Sequence, residues 1–531
     1  MTFQSEKLNL FRAEMKLVMP KTLFHVFYIC FSGFVGLYLY RPMKELDFFW
    51  RIIVGESLTS KTKIESSNLS TWGNYDGDWK TTQPLGEVLL SFTYKIGGLE
   101  LVSISRVAVW TFVVWWVYRL LIVQQGSQKI RFYTQLKLTI YGLTSVFLFL
   151  PFIQERPQTI FLILLVITGR NLIEIYINSR AKVKATTWSI LSIAVFIHPG
   201  WVIIYTFILF HFARSAFQRK RIKSAEYVLF LAIPVLPILG PSGVNYYSNL
   251  IEISRLGRLF ISEWQPLWKM DMSQPVLFLF GIQLFLAIFL GFDVAKNLPP
   301  NKLILFFILL ISLQAFAILA VRNVPISIIL SILLLSVVIT SSKDNLDEFD
   351  NLGSYTTKRF SNIEGTPTFL KAIPLVLFAI SLSVSIKHSF KATEDFTKVA
   401  PLKIIQAMSN LGAVRVLNSS NEGGYLHYFG GTSVYPFIDG RIDRYDRNQL
   451  DLLDLLFSSK TGTNELVRVE FKDATDILIP IDNLLRPVQE SGFRFICQEN
   501  GYLWYSRHIY ASCSSSTLNY NSNIRPESPK D

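Results

Sequence analysis

The sequence predicts a mainly α-helical polytopic membrane protein with a C-terminal extracytoplasmic α/β domain, and three observations carry that expectation. Only 17% of the 531 residues are charged while 50% are hydrophobic, below the roughly 25% charge of an ordinary soluble domain. The apolar residues come in blocks. Residues 22–40 hold no charged side chain and are long enough to cross a hydrocarbon core of about 30 Å. Between blocks lie clusters of Lys and Arg such as SRAKVK (179–184) and RSAFQRKRIK (214–223), the pattern of cytoplasmic loops under the positive-inside rule. The net charge of +13 is thereby assigned to topology, and no nucleic-acid partner is expected.

The first block is longer than a signal-peptide core. No small-x-small cleavage site follows it before Arg41-Pro42, so it reads as a retained helix. Further apolar segments run over 101–123, 136–152, 159–177, 187–197, 201–212, 227–239, 275–292, 303–321, 326–339 and 369–386. The pair flanking His198-Pro199-Gly200 is too short for two full spans of about 20 residues. The basic loops on both sides still require two crossings or a re-entrant hairpin, with the Pro and Gly at its turn. Threaded from a cytoplasmic N-terminus bearing Lys7, Arg12, Lys16 and Lys21, the segments give about eleven crossings of the cell membrane and a C-terminus outside.

This places a multi-helix membrane domain at 1–387, with a first outer loop at 41–100, ahead of an outer domain at 388–507 and a flexible tail at 508–531. In the outer domain the β-rich runs VRVLN, YPFID, DILIPI, FRFIC and YLWYS alternate with the helix-like NQLDLLDLLF and NLLRPVQES, which suits a small α/β unit. Cys497 and Cys513 could pair there, although their positions in the chain do not show that they are close.

The chemistry-bearing residues gather on the outer side. The first outer loop opens with Glu45-Leu46-Asp47 and continues FFWRIIVGESL, in which Phe48, Phe49 and Trp50 suit the lipid interface. A carboxylate pair there can deprotonate a hydroxyl or bind a divalent cation. It can equally form a solvated rim neutralised by Arg41 and Lys44. In the same layer lie Glu155 and Arg156 of QERPQ, His198, Glu263, Trp264 and Gln265 of SEWQPLW, and Arg322 and Asn323 of RNVP. Arginines at outer helix ends run against the orientation rule. A lipid phosphate would explain them, since a guanidinium matches phosphate bidentately, and snorkelling to ordinary headgroups is the alternative. Trp50, Trp72, Trp79 and Trp264 suit either sugar stacking or anchoring and loop core. A Walker loop, HExxH, a Cys/His ligand cluster and a GxSxG elbow are all missing from the sequence, which disfavours ATP-driven transport and hydrolase chemistry.

In order along the chain, ELDFFWRIIVGESL with DWKTTQPLGEVLLSFTYKIGG, ERPQTIFLILL, FIHPGWVIIY, GPSGVNYYSNL with EWQP, RNVPISIIL and NEGGYLHYFGGTSVYPFIDGRIDRYD together resemble a group of bacterial membrane glycosyltransferase-like proteins. That group belongs to the GT-C class, which also holds oligosaccharyltransferases and protein mannosyltransferases. The resemblance spans about residues 39–507. It implies transfer of a sugar from a polyprenyl-phosphate carrier to an extracytoplasmic glycan, lipid or protein, with the acidic motif of the first outer loop supplying the catalytic carboxylate, sometimes with a divalent metal ion.

On that footing Asp47 is the expected general base and Glu45 orients the acceptor or a cation. Arg156 and Arg322 hold the carrier phosphate, and the acceptor or sugar is expected to meet Glu87, His198, Trp264, Asp439 and Arg441. For Asp439 and Arg441 a structural ion-pair network is the competing reading. The chain departs from the resembling pattern where DFFWRI and TQPLGE replace D-x-W-W-H-x and H-E-W-L-x-E. Arg51 and Thr82 stand where histidines are usual, Glu87 is kept, and Glu422 replaces an aromatic before Gly423-Gly424. A non-catalytic scaffold for surface-glycan assembly and a lipid-linked glycan transporter are the alternatives to an enzyme.

Overall fold

The computed structural model describes residues 48–59, 71–72, 81–126, 132–149, 152, 156–178, 181–219, 222–269, 275–295, 298–341, 380, 383–441, 444–445, 447–458, 467, 469–481 and 491–513. The apolar block at 22–40, the Glu45-x-Asp47 pair, Trp79, Glu155 and most of the segment 369–386 lie outside the described residues.

The chain is mainly helical, with a small sheet near its C-terminus. Helix α1 (Phe48–Thr59) precedes a run of apolar helices: α2 (Pro84–Gly126), α3 (Phe132–Phe149), α4 (Pro157–Ile177), α5 (Ala185–Ile197), α6 (Trp201–Phe217), α7 (Ser224–Ala232), α8 (Tyr246–Phe260), α9 (Pro275–Ala295), α10 (Pro300–Leu319) and α11 (Val324–Ser341). Among the described residues four stretches are long and apolar enough to cross a membrane: Pro84–Val113, Pro157–Ile177, Pro300–Leu319 and Val321–Val338. Helices α5 and α6 are shorter, and they meet at the His198-Pro199-Gly200 turn that the sequence marks.

The segment 227–239 is not one straight span. Proline at 234 and 237 removes backbone donors, so the α-helix gives way to a 3-10 stretch at Ile233–Leu239, and the chain then bends by 113° into α8. Between helices several buried polar groups pair with one another, as an apolar surround favours. Gln283 donates to Ser145 Oγ and Gln314 to Ser331 Oγ, each at 3.1 Å, and Ser327 donates to the Leu313 carbonyl at 2.7 Å.

The C-terminal sheet uses all five β-rich runs: β1 (Val414–Leu417), β2 (Val434–Pro436), β3 (Asp476–Pro480), β4 (Arg494–Glu499) and β5 (Tyr502–Ser506). Their order is β2-β1-β3-β5-β4, with β1 parallel to both β2 and β3 and the β3-β5-β4 edge antiparallel. Helices α12 (Ala392–Val399), α13 (Leu402–Asn410), α14 (Ser420–Gly430) and α15 (Arg447–Ser458) accompany it. Cys497 and Cys513 form a disulfide, with Cα atoms 6.2 Å apart.

Helix α1 corrects one expectation. Phe48, Phe49 and Trp50 are buried and do not lie at the lipid interface. The Phe49 ring lies 5.0 Å from the rings of Phe396, Tyr428 and Phe429, and 6.3 Å from that of Tyr94. Aromatic clusters of this spacing add to the energy of area burial. They bind α1 to α12 and α14 on one side and to α2 on the other. The reason is visible along α1 itself, where apolar residues occur on nearly every face. Close approach of α1 to α2 needs Gly55: a Cβ there would run into the Glu87 carbonyl oxygen and lie 2.6 Å from Ser91 Cβ.

Gly55→Ala should therefore destabilise the protein by about 1–3 kcal/mol. A lowered midpoint of thermal unfolding in detergent is expected, and an unchanged midpoint would show that α1 does not pack on α2 this tightly.

Candidate functional site

The candidate site is built where several helix ends abut. Gly86, in the first turn of α2, lies so close to two other ends that a Cβ would come within 2.6 Å of both the Ile197 carbonyl oxygen and Pro157 Cβ. Glycine alone tolerates that approach. It brings Glu87, the Arg156 cap of α4 and the His198 turn after α5 into one layer.

From α1, Arg51 reaches this layer, with Nη1 3.9 Å from Glu87 Oε1 and its guanidinium 4.4 Å from the centre of the Trp50 ring. Arg156 Nη1 donates to Glu263 Oε2 at 2.7 Å. The Arg322 guanidinium stacks 4.0 Å above the Trp264 ring, which itself rests on Gly257. Gln158 joins the two arginine-bearing ends: its amide donates to the Arg322 carbonyl at 3.3 Å, and its own oxygen accepts from Arg322 Nη2 at 3.4 Å. Phe152, Arg156, Gln158, Thr159, Leu162 and Pro325 line a narrow cleft there.

His198 sits at the centre of these charges. Its Nδ1 accepts from the Gly200 N–H at 2.9 Å, and its ring stacks on Phe161. Burial, with the positive charges of Arg322, Arg51 and Arg156, holds it well below its usual 6.5, so it is neutral at physiological pH. Among the described residues three guanidinium groups share this layer with two carboxylates and a neutral imidazole, and guanidinium groups have the fork geometry that suits an anion's acceptor oxygens.

Asp439 and Arg441 are placed elsewhere, inside the C-terminal sheet unit, and they face each other instead of an acceptor. This is the arrangement that the ion-pair reading expects. Both are buried. The Asp439 carboxylate accepts from the Arg441 backbone N–H at 2.9 Å, from Nε and from Nη2. Burial disfavours its charge, but Arg441 outweighs that and holds the carboxyl at about 2. The Asp439 N–H donates to Tyr445 Oη, which donates to Thr71 Oγ1 at 3.2 Å. Beside it Trp72 donates to the Val416 carbonyl at 3.1 Å and packs on Phe437, so this tryptophan is loop core. The chain before α2 therefore meets the C-terminal unit at Thr71-Trp72 as well as at α1.

Glu422, the departure noted before Gly423, is buried and accepts from the Ser419 hydroxyl. Gly423 is required beside it, because a Cβ would lie 2.6 Å from Asp439 Cα. The sequence reading missed the placement of Arg51, the bridging role of Gln158, and the inclusion of His427 and Arg444 in the buried network. Residue type alone carried no signal for the last two. No group of three or more potential metal ligands occurs among the described residues.

No family model and no curated protein matches the chain. It is similar to solved structures. One is ArnT from Cupriavidus metallidurans bound to undecaprenyl phosphate, with TM-score 0.40 and 11% identity, covering 93% of this chain and 99% of that one. Another is the oligosaccharyltransferase of Archaeoglobus fulgidus, tethered to an acceptor peptide containing an NVT sequon, with TM-score 0.38 and 11% identity, covering 93% and 75%. The second belongs to a class that the sequence resemblance names. At this identity and these scores the likeness says nothing of chemistry.

The buried His427 supplies a pH test. Burial is the main cause that pushes it down to about 3, with Asp439 opposing and Arg441 and Arg444 adding to the depression. When the chain unfolds the imidazole returns to about 6.5 and takes up a proton that the folded form refuses. Its contribution to stability is complete above about pH 6.5 and is lost as pH falls toward 3, at up to about 1.4 kcal/mol per unit. The unfolding midpoint should drop from pH 7 to pH 5, and less steeply in His427→Gln. Equal slopes would contradict the burial of a neutral histidine.

Proposed function

We propose that the chain is an integral membrane glycosyltransferase of the GT-C type, which moves a sugar from a polyprenyl-phosphate donor to an acceptor outside the cytoplasmic membrane. The observation that carries this is the gathering of Arg156 and Arg322, at the ends of apolar helices, and of Arg51 from α1 around the His198 turn. A lipid-borne anion would arrive at that level. Carboxylates that would serve a sugar transfer, Glu45 and Asp47, directly precede α1 in the chain. The Cys497–Cys513 disulfide supports an oxidising, extracytoplasmic setting for the sheet.

In the reaction the acceptor hydroxyl attacks the anomeric carbon as the bond from that carbon to the phosphate oxygen breaks, through an oxocarbenium-like state. The hydroxyl proton passes to Asp47, with Glu45 orienting the acceptor. The electron pair of the broken bond leaves on the polyprenyl phosphate, whose charge Arg156 and Arg322 stabilise. Glu87, His198 and Trp264 shape the same layer. The acidic pair also has the chemistry to hold a divalent cation, and the step is written without one.

Asp47→Asn should reduce transfer on the order of 10²-fold or more. The test is a mass-spectrometric profile of cell-surface glycans and glycolipids. A deletion strain carrying wild type is compared with one carrying Asp47→Asn at equal membrane abundance. Loss of the same sugar as in the deletion is expected, and it also names the donor sugar. A fully restored profile would reject the assignment and favour a scaffold or a transporter.

A further inference from the structure

Helix α8 follows the 113° bend and has no part in the proposed reaction. Its 15 residues extend about 22 Å, too short to cross a hydrocarbon core of about 30 Å. Both of its ends are fixed to the layer of helix ends. At the first, the buried Tyr246 hydroxyl accepts from Trp201 Nε1 at 3.0 Å, at the start of α6 beside the His198 turn. In the last turn, Gly257 supports the Trp264 ring, on which Arg322 stacks just before α11. A helix tied at both ends to one level runs along that level and not through it. The bend itself is secured by a side chain of α8. The Pro234 carbonyl would accept from residue 237 in a 3-10 turn, but Pro237 has no N–H, and the Tyr247 hydroxyl donates to that carbonyl instead.

The exposed side of α8 divides into two rows at helical spacing. Val244, just before the helix, Tyr247 and Ile251 form an apolar row, and Asn245, Ser248 and Arg255 form a polar one. Val244 is 80% exposed and Ile251 70%, so the apolar row is left open. Before the bend, Val228, Leu231, Val235 and Leu239 are exposed in the same way, as lipid-facing side chains of a membrane segment are. The apolar row of α8 therefore continues a lipid-facing surface around the bend. One helical repeat beyond Ile251 stands the exposed Arg258, whose apolar stem can lie in that row while its guanidinium reaches the headgroups.

We propose that α8 is an interfacial helix, seated in the membrane leaflet on the side of the candidate site. Val244, Tyr247 and Ile251 lie at the boundary of headgroups and acyl chains, and Asn245, Ser248 and Arg255 face water. Helices of this pattern sink their apolar face about 5–10 Å into that boundary. The leaflet then supports Gly257, on which Trp264 rests, and so fixes the level of that part of the layer. This holds whatever reaction the site performs.

The experiment places nitroxide labels on the full-length protein in phosphatidylcholine nanodiscs. A Cys30→Ser background leaves the Cys497–Cys513 disulfide intact. Labels at Ile251→Cys, Ser248→Cys and Leu231→Cys are compared for collision with oxygen, which concentrates in lipid, and with a water-soluble nickel chelate. Ile251→Cys is expected to favour oxygen at a depth of about 5–10 Å, shallower than Leu231→Cys, while Ser248→Cys favours nickel. Nickel preference at both Ile251 and Ser248 would put the helix in water. A depth at Ile251 equal to that at Leu231 would make the bent pair re-entrant. Protection of Ile251 from both reagents would mean that protein, a second copy or another segment, covers the row. Each of these three results overturns the proposal. Should Ile251→Cys or Ser248→Cys not fold, Val244→Cys and Asn245→Cys read the same two rows.

Discussion

The structure depends on the grip around helix α1. This twelve-residue helix is too short to be stable by itself, so its place is set by what it touches. Gly55 lets it close on α2, and Phe48 and Phe49 enter an aromatic cluster shared by α2, α12 and α14. Beyond that grip, the stretch between α1 and α2 is held through Thr71, Trp72 and the Thr81 carbonyl, which accepts from Ser242 Oγ. With the grip in place, α1 carries Arg51 beside Glu87 of α2 while its Phe49 packs on α12 and α14.

The second constraint is electrostatic. A buried arginine is costly in proportion to the water it gives up, and pairing offsets that cost only when geometry is good. Arg441 shows the closed form, with a bidentate carboxylate and no exposure to ligand. Arg156 and Arg322 show another form. Arg156 pairs with a half-buried glutamate and borders the cleft, while Arg322 lies on a tryptophan face and donates to Gln158. The neutral state of His198 follows first from its burial and then from the positive charges of Arg322, Arg51 and Arg156.

Much of this was legible in the residues. The apolar blocks among the described residues are helical, because a backbone in lipid must satisfy its own hydrogen bonds, and the alternating runs near the C-terminus form the five strands. Arg156, His198 and Arg322 sit at segment ends in the sequence, whereas Trp264 lies within the connection between two segments and is brought to Arg322 by tertiary contact. Other features were not readable. FFW before an apolar stretch reads equally as a lipid anchor or as core, and only tertiary contact decides for core. Asp439 and Arg441 offered two roles of the same chemistry, decided by burial. The Cys497–Cys513 bond and the approach of Gly86 to Ile197 and Pro157 are long-range facts that local sequence does not encode.

The most direct test of the central claim follows the donor itself. Purified protein would be returned to membranes of a deletion strain, and polyprenyl-phosphate sugars and free polyprenyl phosphate would be quantified by lipid mass spectrometry over time. Sugar transfer predicts that the linked sugar declines as free polyprenyl phosphate accumulates in step, while Asp47→Asn leaves both unchanged. A linked sugar that stays intact with wild-type protein, or is consumed equally with the variant, would contradict the account.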